Sequence, residues 1–361
     1  MAGGPADRPL ARALELARRA WGDTHPNPMV GAVLTEADAV VAEGWHARAG
    51  EPHAEVAALR ALGRRPLPGA TLHVTLEPCS THGRTPPCVD ALLAAGIRRV
   101  VIGTLDPNPL HAGRGIRLLR DAGVEVALAD GPLELACREL NFLFNHWISR
   151  RRTLLAMKVA RDATGRTVPL PGRRWITGEA ARADVMRWRR LFPCVAVGAG
   201  TVLADNPALT ARLPEGATCP LRLVLDRSGR LQGRGDLTLF SDAHRARTVV
   251  ALDPARAPTS YADWVRSTGS APWEIPAGDF LEGVLARAGR EGIVGILLEP
   301  GPSLGQAVLR SGLLGRAWIY TAPAGKADPA SLPWLADPVP LPPQPVSLDA
   351  EDTLLSGEWR C

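Results

Sequence analysis

The sequence predicts an α/β protein in two halves, and three observations carry that expectation. Apolar strand-like runs alternate with single helical patterns between about residues 29 and 128, the alternation resumes after residue 153, and a basic stretch from Ser149 to Arg152 separates the two series. Strands separated by single helices imply a mostly parallel sheet with helices on both faces. A chain of 361 residues is also longer than one core usually supports, roughly 250 to 300 residues. The expected division is 1–150 and 151–361.

In the first half, residues 8–21 read as an amphipathic helix, "MVGAVLT" and "AVVAEGW" as strands, and "HAEVAALRALG" as a helix closed by Gly63. "ATLHVTL" reads as a buried strand, "CVDALLAAG" as a helix, "RRVVIGT" as a strand, "GIRLLRDAG" as a helix and "VEVAL" as a strand. Residues 131–153 read as one helix running into the basic linker. The second half starts with strand "LLAMKVA" and continues with strands "CVAVGAG", "LRLVLD", "RTVVAL", "GILLEP" and "RAWIYTAP". Pro-rich "DPVPLPPQPV" reads as a loop or an edge connection.

Composition narrows the function classes. Hydrophobic residues make up 46% and charged residues 22%, ordinary globular usage, and no apolar run reaches the roughly 18 residues of a membrane span. The start of the chain lacks the apolar core of a signal peptide, so the expected location is cytoplasmic. Six cysteines are too few and too scattered for a disulfide framework. The 42 basic residues, of which only Lys158 and Lys326 are lysine, are spread along the chain rather than gathered in a patch, which argues against a nucleic-acid partner.

One motif stands out. "TLEPCSTHGRTPPC" sets Cys79 and Cys88 around a polar turn, and "PHAEVAAL" upstream supplies His53 and Glu55 at a helix start. A disulfide, a chance pair of buried thiols, and a structural zinc completed by His82 are the alternatives. One imidazole and two thiolates make a three-ligand zinc site of the catalytic type. Helix N-termini favour the ionised sulfur that binds metal. Glu55, two residues after the histidine, can move protons for a water acidified by zinc without itself being a ligand. His-x-Glu followed by Pro-Cys and a second Cys is the signature of zinc nucleobase deaminases, here with the gap between the cysteines widened to eight residues.

In the second half, "EPGPSLGQA" runs from a strand through a Gly-rich turn into a helix whose first N–H groups suit a phosphate. "GTVLADNPALTAR" places Thr201, Asp205 and Arg212 in a loop after an apolar strand, where α/β proteins bind ligands. Lys158 stands out as a lysine in an arginine-biased chain.

With these residues on the page, "THPNPMVGAVL", "GEPHAEVAAL", "TLEPCSTHGRTPPC" and "DPNP" resemble the deaminase half of the bifunctional deaminase/reductase family of riboflavin biosynthesis, whose own variant is the widened cysteine spacing. "RWITGEAARADVMRWRR", "VAVGAGTVLADNPALTAR" and "LLEPGPSLGQAVL" resemble its reductase half. The resemblance implies a cytidine-deaminase-like three-layer αβα domain followed by a dihydrofolate-reductase-like α/β domain. It implies zinc on His53, Cys79 and Cys88, proton transfer by Glu55, a base pocket lined by Asn27 and His46, and a phosphate contact from Arg84.

For the reductase half the resemblance implies NADPH held by Lys158, Ala160, Trp175, Thr201, Asp205, Gly301, Pro302, Ser303 and Gly305, with substrate touching Arg189, Leu209, Arg212 and Glu299. It implies a small phosphoribosyl pyrimidine substrate and a homo-oligomer. The chain departs from the family pattern at Thr81, at Asp162 and Thr164 in "DATG", at Arg173, and after "YTAP". These departures leave a second reading: a deaminase carrying a degenerate, scaffold-like second half.

Overall fold

A computed structural model describes residues 8–81, 86–170, 172, 175–276, 278–322, 339–340 and 353–358. The chain forms two compact units, Met1–Arg151 and Arg152–Cys361.

The first unit runs α1 (Arg8–Ala17), β1 (Gly31–Glu36), β2 (Ala39–Trp45), α2 (Ala54–Leu62), β3 (Thr71–Val74), α3 (Cys88–Ala95), β4 (Arg99–Ile102), α4 (Arg114–Asp121), β5 (Glu125–Leu128), α5 (Gly131–Leu140) and α6 (Phe142–Arg150). Its five-stranded sheet has the order β2-β1-β3-β4-β5. The sheet is mixed rather than mostly parallel: β3, β4 and β5 are parallel, while β1 is antiparallel to both neighbours. The cause is local. Ala37 and Asp38 take φ of 46° and 64°, the doubly left-handed turn that closes a tight hairpin between β1 and β2.

Two glycines let helices approach the sheet closely from opposite sides. A Cβ on Gly31 would lie 1.9 Å from the Ala13 carbonyl oxygen of α1, and one on Gly44 would lie 2.3 Å from the Ala58 nitrogen of α2. Gly44 pairs with Ala32, the neighbour of Gly31, so alternation puts the two glycines on opposite faces. The core between them is aliphatic, with Leu34, Leu72, Val74, Leu92, Val100 and Ile102 buried.

The segment expected as one helix over 131–153 is two helices that break at Asn141. Its buried side chain accepts from Met29 N at 2.7 Å and donates to Met29 O at 2.8 Å, a contact between distant parts of the unit that outweighs local propensity.

The second unit runs β6 (Leu154–Asp162), α7 (Glu179–Leu191), β7 (Cys194–Gly198), α8 (Ala199–Asp205), β8 (Ala211–Leu213), β9 (Gly216–Thr218), β10 (Leu221–Leu225), α9 (Thr238–Ser241), β11 (Thr248–Leu252), α10 (Tyr261–Ser267), β12 (Ala271–Glu274), α11 (Phe280–Arg290), β13 (Gly295–Leu298), α12 (Pro302–Ser311), β14 (Leu314–Ala322), β15 (Val339–Pro340) and β16 (Thr353–Glu358). The main sheet has the order β12-β11-β10-β7-β13-β6-β14-β16-β15. Strands β12 to β14 of this order run parallel and β16 and β15 pair antiparallel.

The central strands β7 and β13 are buried almost throughout, as expected for parallel strands covered on both faces. Two expectations change here. Thr201 and Asp205 lie on the short helix α8, not in a loop, and Arg212 lies on a small hairpin, β8 with β9. The apolar run 194–204 hides the strand-to-helix switch, because a short buried strand and a short buried helix look alike in sequence. In the Pro-rich stretch Val339–Pro340 is an edge strand, and the remainder lies outside the described residues.

Candidate active sites

The first site assembles from three element ends. His53 caps the N-terminus of α2 with extended backbone, Glu55 lies in its first turn, Cys79 follows β3 through Glu77 and Pro78, and Cys88 opens α3. The His53 Nδ1 lies 3.2 Å from Cys88 Sγ and 3.6 Å from Cys79 Sγ. All three donor atoms fall within 4.8 Å of one another.

These separations test whether the residues fit zinc. A tetrahedral ion with typical Zn–S and Zn–N bonds sets such donors about 3.6 Å apart, so the triangle has the right size. The backbone N–H of Cys88 donates to Cys79 Sγ at 3.3 Å, which favours thiolate there. Hydrogen bonding from Cys88 comes first among the causes that pull the Cys79 thiol down to about 4, and the same contact with burial holds the Cys88 thiol up. Cys79, Cys88, Cys137, Cys194 and Cys219 form no disulfide, which removes that alternative for the motif. His82 and Arg84 lie outside the described residues.

Glu55 is buried, and desolvation lifts its carboxyl to about 7. His46, also buried, faces the Pro52 carbonyl with Nδ1 at 3.1 Å and Asn27 Nδ2 with Nε2 at 3.3 Å. The pairing implies a neutral ring that donates at Nδ1 and accepts at Nε2; burial also lowers its pKa. The Asn27 amide is thus oriented with its oxygen left to accept from a ligand. The His46 ring packs edge-on to His53 at 5.4 Å, so the base-pocket candidates and the metal donors share one cluster. Thr81 is half-buried beside this loop.

One residue of this site escaped the sequence reading. Glu77 is buried, and its carboxylate accepts the backbone N–H groups of Asp106 at 3.2 Å, Gly113 at 2.9 Å and Ile116 at 3.3 Å. It ties the loop containing "DPNP" to the segment that delivers Cys79. A carboxylate two residues before a ligand cysteine was the available signal.

The second site lies at the C-terminal ends of β6, β7 and β13, the edge at which parallel sheets bind ligands. Arg189 on α7 reaches Glu299, just past β13, with Nε at 2.6 Å and Nη2 at 3.0 Å, and its Nη1 donates to the Thr210 carbonyl at 3.1 Å. Lys158 on β6 completes a half-buried group of charges. Burial holds its ammonium below the usual lysine range against the pull of Glu299. Burial alone would raise the Glu299 carboxyl, but Arg189 and Lys158 outweigh it and hold the group at about 2. The Lys158 Nζ lies 5.9 Å from the centre of the Tyr320 ring, whose hydroxyl donates to Asp184 at 2.6 Å.

Around this core the other candidates divide. A Cβ on Gly301 would stand 3.4 Å from Thr201 Oγ1, so α8 and the N-terminus of α12 meet. Gly301 caps α12, Pro302 occupies its first turn, Ser303 is exposed there, and Gly305 is buried. Ala160 is half-buried on β6. Asp205 is exposed at the end of α8, Arg212 is exposed with its Nη1 on Thr210 Oγ1 at 2.8 Å, and Trp175 is exposed with the Arg182 guanidinium 5.4 Å from its ring centre. Leu209 is only 1% exposed, so its side chain belongs to the core rather than to an open pocket.

Asp162 and Thr164 make a closed turn after β6. The Asp162 carboxylate accepts from Thr164 Oγ1 at 2.6 Å, Thr164 N at 2.9 Å and Arg166 N at 3.0 Å. Arg173 lies outside the described residues.

An αβα unit with a His-Cys-Cys donor triangle beside a buried glutamate, joined to a parallel-sheet unit with a half-buried cation–anion cluster at its ligand edge, defines a bifunctional enzyme of the zinc deaminase and reductase classes. Residues 6–104 match the cytidine and deoxycytidylate deaminase zinc-binding region, and residues 165–325 match the RibD C-terminal domain. The chain is 40% identical over 356 residues to the riboflavin biosynthesis protein RibD of Actinobacillus pleuropneumoniae, covering 97% of this chain and 92% of that one. It is 38% identical to the Escherichia coli protein of the same name, covering 87% and 86%. The crystal structure of a diaminohydroxyphosphoribosylaminopyrimidine deaminase/5-amino-6-(5-phosphoribosylamino)uracil reductase from Thermotoga maritima superposes with a TM-score of 0.80 at 34% identity over 99% of both chains. The chain belongs to the RibD family of bifunctional riboflavin-biosynthesis deaminase/reductases.

Proposed function

We propose that the first unit hydrolyses the ring amine of diaminohydroxyphosphoribosylaminopyrimidine and that the second reduces the ribosyl chain of the deaminated product with NADPH. The observation that carries this reading is the zinc-sized triangle of His53, Cys79 and Cys88 with Glu55 buried beside it.

His53, Cys79 and Cys88 would hold the zinc ion, which when bound makes hydroxide available near neutral pH. Glu55 takes a proton from water as its oxygen bonds to the ring carbon, and returns a proton to the amine nitrogen as the C–N bond breaks. Ammonia leaves and a ring carbonyl remains. A carboxyl lifted to about 7 serves both transfers. Asn27, oriented by His46, accepts from a polar edge of the base.

In the second unit NADPH, when bound, would supply the hydride that reduces the carbonyl or imine carbon of the opened ribose, with the balancing proton for the heteroatom drawn from solvent. Arg189 keeps Glu299 ionised and oriented beside Lys158, so the substrate meets a fixed pair of opposite charges. Arg84 and Arg212 are the phosphate contacts in this reading. Thr201, Asp205, Trp175, Ala160 and the turn from Gly301 to Gly305 line the cofactor side. The substrate is a small phosphoribosyl pyrimidine rather than a nucleic acid, and the enzyme works in the cytoplasm as a homo-oligomer. Among the described residues no helix is long and apolar enough to cross a membrane. The scaffold alternative for the second half is disfavoured, because the Lys158, Arg189 and Glu299 cluster is intact and the RibD C-terminal match spans residues 165–325.

The test is product identification by mass after incubation with substrate, with and without NADPH. Amine-to-carbonyl exchange is expected in both cases and reduction only with NADPH. Glu55→Gln should lower deamination by at least about 10²- to 10⁴-fold while zinc content stays at the wild-type level. Retained deamination would remove Glu55 from its role. Absence of NADPH oxidation with the deaminated intermediate would return the second unit to a scaffold.

A further inference from the structure

The segment 206–210 between α8 and β8 is held in a strained shape. Asn206 has φ of 42° and Leu209 has φ of 54°. Asparagine tolerates the left-handed region, but for leucine the approach of Cβ to the following carbonyl makes it unfavourable. Such a conformation persists only where the surroundings over-determine it, and it concentrates at functional segments.

The restraints are specific. The Asn206 Oδ1 accepts from Thr238 N at 2.7 Å, at the start of α9. Next to Leu209 on one side, the Ala208 carbonyl accepts from Arg222 Nη1 at 3.2 Å, and on the other side the Thr210 carbonyl accepts from Arg189 Nη1 at 3.1 Å.

Arg222 is the unusual partner. It is the second residue of strand β10, between Leu221 and Leu223, and its side chain is 0% exposed. Burying a guanidinium carries a desolvation penalty of several kcal/mol, and a hydrophobic replacement for a buried ion pair is often neutral or stabilising. The strand alone gives no reason for an arginine. The segment does: Nη1 and Nη2 bind Asp242 at 2.6 and 2.9 Å, Nη2 also donates to the Leu239 carbonyl at 3.1 Å, and Nη1 extends to Ala208. Asp242 directly follows α9, so Arg222 and Asn206 fasten the segment to the same short helix.

We propose that Arg222 is a positioning residue of the reductase: through the Ala208 carbonyl it holds the strained segment 206–210 in register with the Arg189–Glu299 pair, at the edge where the ligands bind. This rests on the reading that the second unit binds NADPH and the deaminated nucleotide at this edge. Arg222 does not touch the ligands; it acts through the segment.

The test uses the full-length enzyme, the deaminated intermediate and NADPH. In Arg222→Lys, an ammonium can keep Asp242 but cannot also span the carbonyls of Ala208 and Leu239. The KM for NADPH or for the intermediate should rise about tenfold or more while kcat falls less than about threefold, the signature of lost uniform binding. Deamination by the same preparation should be unchanged. Asp242→Asn weakens the ion pair but leaves Arg222 to bond Ala208, so it should lower thermal stability while shifting neither KM by more than about twofold. If Arg222→Lys does not fold, Arg222→Gln, with a single amide to donate, takes its place with the same expectation. Equal KM shifts in the two positions' variants at equal loss of stability, or an unchanged KM in the Arg222 variant, would overturn the proposal. A wild-type enzyme that fails to oxidise NADPH with the intermediate would instead overturn the reading on which it rests.

Discussion

Glu299 shows how much one side chain depends on its partners. Its carboxyl is held at about 2, against the usual value of about 4.3 for a free glutamate. A lowered folded-state pKa contributes stability that is present above the unfolded value and is lost as pH falls through the folded one. With the side chain 15% exposed, the contribution is of the order of 2 to 3 kcal/mol. Denaturant unfolding of wild type and Glu299→Gln should therefore differ most above about pH 5 and converge towards about pH 2. A gap that stayed constant over that range would mean that Glu299 does not titrate with this partnership. The pairing of Glu299 with Arg189 was not readable in the sequence, because the two lie 110 residues apart and no spacing rule connects them.

At the scale of elements, the placement of α2 decides the candidate deaminase site, since His53 caps its N-terminus and Glu55 lies in its first turn. That placement depends on Gly44, where a methyl group would lie 2.3 Å from Ala58 N and 2.6 Å from Ala54 O, both backbone atoms that cannot swing aside. Gly44→Ala should push the helix outward, destabilise the unit by about 1 to 3 kcal/mol, and lower deamination about 100-fold through misplacement of the site. Wild-type deamination in that variant would show that the helix has slack.

Helix α2 was legible in sequence: apolar spacing ran to Gly63, which caps it with φ of 69°. The break at Asn141 and the helix α8 were not legible. The first is imposed by Met29, which is distant in sequence, and the second is hidden in an unbroken apolar run.

At the scale of the whole molecule, each unit closes its own sheet around its own aliphatic core, so each chemistry should answer to its own perturbation. Removing zinc with a chelator should abolish deamination, leave NADPH-dependent reduction of supplied intermediate intact, and be reversed by added zinc. Parallel loss of both activities, measured on one sample, would contradict independent sites.

The amino-acid sequence by itself marked His53, Glu55, Cys79 and Cys88 as candidates for one site, because they sit at element ends that short-range patterns reveal. It also determined the alternation of strands and helices, which follows from hydrophobic period. Only the tertiary structure decided that Glu77 ties down the loop behind Cys79, that Arg189 faces Glu299, and that Arg222 holds the segment around Leu209. These are pairings of buried polar groups across the fold, and a buried polar group takes its partner from what the packing brings within hydrogen-bond reach, which local spacing does not encode.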